Sequence, residues 1–176
     1  MSCNNQVING IAKPCEGSTG GIIVAYVAPW ADDIYTYDTS SASTGEVTGI
    51  KSGVTWSVFN FRRGSSSMTG SRTIDNTAGV NFVQSVVSLT FSRQDTPKRL
   101  EMNALALSDM AIMVKDANGK VHCLGLTAPC EVTNSGSATG QASTDGNNYT
   151  VEITDTNSQG FPPFLADSVQ IVTNED

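Results

Sequence analysis

The stretch from Val80 to Arg93 (VNFVQSVVSLTFSR) constrains the fold more than any other part of the chain. Val83, Val87, Leu89 and Phe91 fall at alternate positions, with Ser85 interrupting. Gln84, Ser88, Thr90 and Ser92 fall on the opposite face beside Phe82 and Val86. Alternation of period two buries one face of a strand. Side chains branched at Cβ lose rotamer freedom in a helix and fit the pleat of a sheet. The stretch is therefore a long strand, and it needs partners from elsewhere in the chain.

Those partners are legible. Tyr149, Val151 and Ile153 alternate with Thr150, Glu152 and Thr154, a half-exposed strand. Val54, Trp56 and Val58 alternate with Thr55 and Ser57 in a strand that ends near Arg62-Arg63. Gly21 to Ala28 is rich in Ile, Val and Tyr and barely alternates, as a strand covered on both faces does. Shorter strands are expected at Ile34 to Asp38, Glu46 to Lys51 and Ser168 to Thr173. Another is expected near Glu131 to Thr133, inside the polar stretch Thr127 to Gly146. Ala111 to Lys115 and Lys120 to Leu124 flank Asp116-Ala117-Asn118-Gly119. Asn-Gly between two strands signals a tight hairpin, because both residues accept positive φ. Gly64 to Gly79 shows no periodicity and reads as a long loop, a kind commonly used for binding.

One helix is expected, from Pro97 to Leu107. Asp95 or Thr96 can cap it, and Pro97 suits its first position. Leu100, Ala104 and Leu107 recur at i, i+4 and i+7 as one apolar stripe. Lys98 and Arg99 sit at the positive end of the helix dipole. Either the chain tolerates a loss below about 1 kcal/mol, or a carboxylate answers them from another subunit. The sum is a mainly β (α+β) fold: eight or nine strands in an antiparallel two-sheet sandwich or barrel with one flanking helix. Met1 to Thr19, broken by Pro14 and Gly17, reads as an N-terminal arm, and residues 20–176 as a single β-rich domain with the helix inserted.

The net charge of −7 argues against wrapping nucleic acid, which takes Lys and Arg. The charge is uneven. Residues 51–100 hold seven basic residues (Lys51, Arg62, Arg63, Arg72, Arg93, Lys98, Arg99) and two acidic ones (Asp75, Asp95), net +5, which leaves −12 elsewhere. Such asymmetry steers one subunit's basic region toward a neighbour's acidic one. The apolar run from Gly21 to Trp30 is too short to span a membrane, and no signal peptide is visible. Synthesis in a cytosol with free thiols is expected.

Catalytic candidates are few. His122 is the only histidine, so a triad or a histidine metal site is hard to build. It reads as a strand-surface side chain. Cys3, Cys15, Cys123 and Cys130 contain no Cys-x-x-Cys pair and read as buried or half-buried thiols. Asp116 to Lys120 lacks the further acids of a calcium loop and the leading Gly of a phosphate loop. Asp32-Asp33 lies beside Trp30, Tyr35 and Tyr37, a set that could hold a sugar, but sequence neighbours seldom point the same way and a solvated turn explains the pair. No catalytic residue, cofactor or metal is expected.

Phe91-Ser92-Arg93 followed by the helix, the Asn118-Gly119 hairpin and Gly140-Gln141-Ala142 come in a familiar order. Asn148-Tyr149-Thr150-Val151-Glu152-Ile153-Thr154 and Pro163-Phe164-Leu165 continue it. The order resembles structural proteins of tailed bacteriophages of Bacteroides-type gut bacteria, including tail-tube and tail-ring proteins of crAss-like phages. The resemblance implies two packed sheets flanked by a helix, with strands from a ring of subunits closing a β-barrel around a DNA channel. Val80 to Arg93 would line the lumen, Gly64 to Gly79 would reach the adjacent ring, and Pro97 to Leu107 would lie outside. Arg62, Arg63 and Arg72 suit a bare acidic channel poorly. With Met68, Lys98 and Arg99 they are expected at a contact between subunits. The implied partners are further copies in a homo-oligomeric ring and neighbouring tail or portal/connector proteins. DNA would pass without sequence-specific binding, and the location would be the virion tail, assembled in the bacterial host cytoplasm. A head-completion or decoration protein fits the same resemblance. From another class, a carbohydrate-binding or adhesin-like β-sandwich would use Trp30, Tyr35, Tyr37 and Asp32 as its platform.

Overall fold

The long alternating run is the spine of one of two sheets. The structure, a computed structural model, describes residues 17–37, 45–62, 64–157 and 160–174. Among these, ten strands and one helix form: β1 (Ile22–Pro29), β2 (Tyr35–Tyr37), β3 (Val47–Ile50), β4 (Ser57–Asn60), β5 (Ser67–Asp75), β6 (Val80–Ser92), α1 (Thr96–Leu105), β7 (Met110–Asp116), β8 (Val121–Leu124), β9 (Glu131–Ala138) and β10 (Asn148–Asn157). The first sheet runs β4-β1-β7-β8, the second β5-β6-β10-β9, and β2 pairs with β3 as a separate ribbon. Every pairing between these strands is antiparallel. The mainly β fold with antiparallel sheets and one helix is as the sequence predicts.

The sheets face each other across one core. Ala25, Val27, Ile112, Val114 and Leu124 of the first meet Val87, Leu89, Phe91, Val151 and Ile153 of the second, and Met102 and Leu105 of α1 join them. Phe59 and Phe61 pack on Phe91 with ring centroids 5.6 and 5.2 Å apart. The far side of the first sheet is covered too. Ala28, Ala111, Met113 and Cys123 lie under Ile34, Val47, Trp56 and Leu165. This double cover explains why β7 is buried at every position from Met110 to Val114 and why β1 hardly alternates. Each large apolar side chain buried this way contributes about 1.5–3 kcal/mol.

Several expectations need correction. Gly64 to Gly79 is not a structureless loop; nine of its residues form β5, paired with β6 from Ser67↔Ser88 to Asp75↔Val80. Apart from half-buried Met68, every β5 residue is exposed. A strand wet on both faces needs no hydrophobic period, so the sequence carried none. The turn after it is held by Asp75 Oδ1, which accepts from the Thr77 and Ala78 N–H groups.

The helix turns a different face inward. Met102 and Leu105 are buried, while Leu100 is 58% and Leu107 91% exposed. The orientation follows from where β6 delivers the chain and where β7 takes it up at Met110, and this overrides the helix's own stripe. Asp95 is the N-cap, accepting from Lys98 N–H at 2.9 Å. Lys98 has its carboxylate at home: Nζ lies 2.9 Å from Asp95 Oδ2 and donates to the Ser92 and Arg93 carbonyls.

The β7–β8 hairpin is real, but only Gly119 takes positive φ (87°). Asp116 N–H donates to Lys120 O, and Gly119 N–H donates to Asp116 O. The loop is therefore three residues long with Gly at its left-handed position, not a two-residue turn. Asn118 instead pairs by its amide with the backbone of Thr19, at 2.9 and 3.1 Å. β9 is longer than expected. Ser168 to Thr173 forms no strand; Thr173 makes an isolated bridge to Trp56. The strand expected to reach Arg62-Arg63 shortens to β4 (Ser57–Asn60). Most of the expected N-terminal arm, with Cys3 and Cys15, and Arg63 lie outside the described residues.

Candidate functional site

The open face of the second sheet is the most distinctive surface. Alternation sends Val83, Ser85, Val87, Leu89 and Phe91 inward, which leaves the other register facing out. Pairing then lays the outward residues in cross-strand rows. One row is Ser67, Ser88, Glu152 and Asn134; the next is Thr69, Val86, Thr154 and Glu131. Ser71, Gln84 and Thr156 make a third, and Thr90 pairs with Thr150 beyond the first. The extra residue of a β9 bulge, Thr133, sets its hydroxyl 3.1 Å from that of Thr154. Among the described residues, no Lys or Arg stands on this face, and Asp75, Glu131 and Glu152 supply its charge. The surface is a hydroxyl lattice with a light negative charge.

Among the described residues, both lateral edges of this sheet are open. β5 and β9 each pair on one side only, leaving a row of backbone donors and acceptors free. The end of the sheet near the β5–β6 turn is a two-stranded ribbon. Among the described residues, β10 pairs with β6 only as far as Val83, and Val80, Asn81 and Phe82 pair with Asp75, Ile74 and Thr73 alone.

The six residues expected at a subunit contact fall in separate places. Met68 and Arg72 sit on β5 in register with the inward-facing Val87 and Val83. Met68 packs on the core. The Arg72 guanidinium lies 5.6 Å from the Phe161 ring centroid, a cation–π arrangement. Arg62 is exposed in the loop before β5. Lys98 and Arg99 are on α1, and Arg99 forms no ion pair among the described residues. Arg63 is outside the described residues.

The acid-and-aromatic group near residue 32 makes no open platform. Trp30 donates Nε1–H to Gly125 O at 2.9 Å. The Tyr35 hydroxyl lies 3.1 Å from Leu124 O and 3.3 Å from Ile112 O. Burial first, then Cys123, Cys130 and Asp155 nearby, push that hydroxyl's pKa well up. Asp33 pairs with Lys51 at 2.7 Å, and this hydrogen bond holds its carboxyl below the usual range. His122 is half-buried, with Nε2 3.4 Å from Asp116 Oδ2 and its ring against Phe164. Cys123 and Cys130 are free and buried, and burial pushes both thiols up. Among the described residues, no group of three or more His, Cys, Asp or Glu is placed to hold a metal, and no helix is long and apolar enough to cross a membrane.

One residue that carries chemistry went unread in the sequence. Asp155 is 2% exposed between the sheets. Its Oδ1 accepts from Gly125 N–H at 3.3 Å, and its Oδ2 has no partner among the described residues. Burial pushes its carboxyl up to about 6, against the opposing pull of the Gly125 bond. The signal was present: Asp155 continues the inward register of Val151 and Ile153. No family model, curated protein or solved structure matches the chain.

Proposed function

We propose that this chain is a virion structural protein, a ring-forming subunit of a phage tail whose second sheet lines the DNA channel. The observation that carries this reading is a hydroxyl face that, among the described residues, holds no Lys or Arg and is bounded by two open strand edges. Phosphate is held by Lys and Arg and released as their counterions return. A face of Ser, Thr and a few carboxylates gives duplex DNA nothing to grip, which suits a conduit. The open edges supply the means of closure. The sheet has four antiparallel strands, an even number, so β9 of one copy meets β5 of the next in antiparallel sense. Repeating that junction around an axis buries every edge in a barrel. The resemblance in element order noted above supports the same assignment. The inward-turned Trp30 and Tyr35 lend no support to sugar binding.

Electron microscopy of the purified protein at high concentration tests the reading. Closed rings with an open lumen are expected. A protein that stays monomeric at every concentration overturns it.

A further inference from the structure

We propose that the notch between α1 and the ends of β1 and β4 is a binding site for a small primary aliphatic amine, with its chain on the apolar floor and its ammonium held by Glu101 and Asp109. The site is separate from the proposed channel: none of its residues belongs to the hydroxyl face or to the open edges at β5 and β9.

The notch exists because β4 is short. Its ladder with β1 runs from Val24↔Asn60 to Val27↔Ser57. Ala28 and Pro29 continue β1, paired on the other side with Ala111 and Met110 of β7, and among the described residues no β4 residue stands opposite them. Trp56 donates its N–H to Val172 O instead, which takes the chain out of the ladder. Glu101, Ala104 and Leu105 of α1 form the other wall, and a cavity of about 350 Å³ is left between them.

The lining selects the ligand. Val27, Ala28, Leu105 and Met110 are buried and form an apolar floor, with half-buried Phe59 beside them. Glu101 and Asp109 are exposed and are the charged residues of the lining; among the described residues, no Lys, Arg or His joins them. Asp33, Asp95 and Asp167 each have a lysine, whereas Glu101 and Asp109 form no ion pair among the described residues. The cations of α1 are engaged elsewhere: Lys98 holds Asp95, and Arg99 lines a different cavity with Met102 and Ser135. The chain at Asp109 is fixed, because its carbonyl accepts from Trp30 N–H at 3.1 Å. In such a cavity the apolar walls take the body of a ligand and the few polar groups choose its head. Here both head-selecting groups are acids, so a neutral or anionic head leaves them unanswered. An ammonium carries three donors and can serve both.

Calorimetric titration of the full chain with n-pentylamine, 1-pentanol and pentanoate tests the site, since the three share a chain and differ in head. The amine should bind, the alcohol about tenfold more weakly, and pentanoate not measurably. Lengthening the amine by one methylene should tighten binding about fourfold. Glu101→Gln and Asp109→Asn should each weaken the amine about threefold and leave the alcohol unchanged. Ala104 is exposed on the wall of the notch, so Ala104→Phe fills it without entering the core and should abolish binding of amine and alcohol alike. An unchanged circular dichroism melt shows that each variant is folded. Absence of amine binding overturns the site. Equal affinity for amine and alcohol overturns the role of the two carboxylates. Amine binding that survives Ala104→Phe in the folded variant overturns the notch as its location.

Discussion

The amide of Gly125 donates to the carboxylate of Asp155 at 3.3 Å, and this bond fastens the end of the first sheet to the second. Gly125 also accepts from Trp30 Nε1 and sits at φ +87°, with Cys130 Sγ and the Ala111 Cα packed around it. This contact joins a backbone position to a buried acid.

The acid makes stability depend on pH in an unusual direction. Burial lifts the Asp155 carboxyl from 3.8 to about 6. Tyr35, Cys123 and Cys130 face this region, and no cation contributes to its environment. A folded pKa above the unfolded value gives stability that is full below about 3.8 and lost as pH rises through about 6. Asp155→Asn should therefore gain stability over the parent at pH 8, by about 2–3 kcal/mol, and little at pH 4. Urea unfolding of both proteins at the two pH values measures it; equal differences at both would contradict the assignment.

Gly125→Ala adds a Cβ 3.3 Å from the Ala111 Cα and 3.4 Å from Cys130 Sγ, at positive φ. The expected loss is about 2–4 kcal/mol. Gly119→Ala is the matched control, with the same φ and nothing within 4 Å. It should lose only about 1 kcal/mol. Thermal unfolding of the pair separates crowding from backbone strain.

Asp95 caps α1 and holds Lys98, whose hydrogen bond keeps its carboxyl below the usual range. Asp95→Ala should speed amide exchange in the first turn of α1 about fivefold and leave β6 and β10 protected. Asp95→Asn should retain most of the cap and lose the ion pair. In the parent, the same protection should fall as pH drops below the carboxylate range, since a lowered folded pKa contributes stability only above it.

The outer face of the second sheet should become adhesive when cations are placed on it. Ser88→Lys with Thr154→Lys puts two ammonium groups in adjacent rows of the hydroxyl lattice. The variant should retain duplex DNA at low salt and release it as salt rises, with a steeper salt dependence than the parent. Filter binding across a salt series reads this out. Equal DNA retention by both proteins would show that the face does not meet DNA.

What the sequence showed tracks where burial imposes a period. β6 and β10 alternate because one face is dry and the other wet, and both were legible. β7 was located by its hairpin, although its two buried faces leave no alternation. β5 was invisible as a strand because Met68 is its one half-buried residue and the rest are exposed, which sets no hydrophobic period. The inward face of α1 was misread because Leu100 and Leu107 are the more hydrophobic pattern, whereas the chain's path selects Met102 and Leu105. Pairwise register is a long-range fact, so the hydroxyl lattice, assembled from four separate segments, could not be seen before the strands were aligned. Asp155 was a different kind of omission, a polar residue inside a legible alternation.

The middle of the first sheet has no outside: β7 is buried from Met110 to Val114, and cover lies on both of its faces. Every substitution there meets a packed neighbour whichever way the side chain points. The second sheet has the opposite freedom along its wet register. Sequence change can therefore retune what the exposed lattice encounters while the covered sheet keeps the architecture constant.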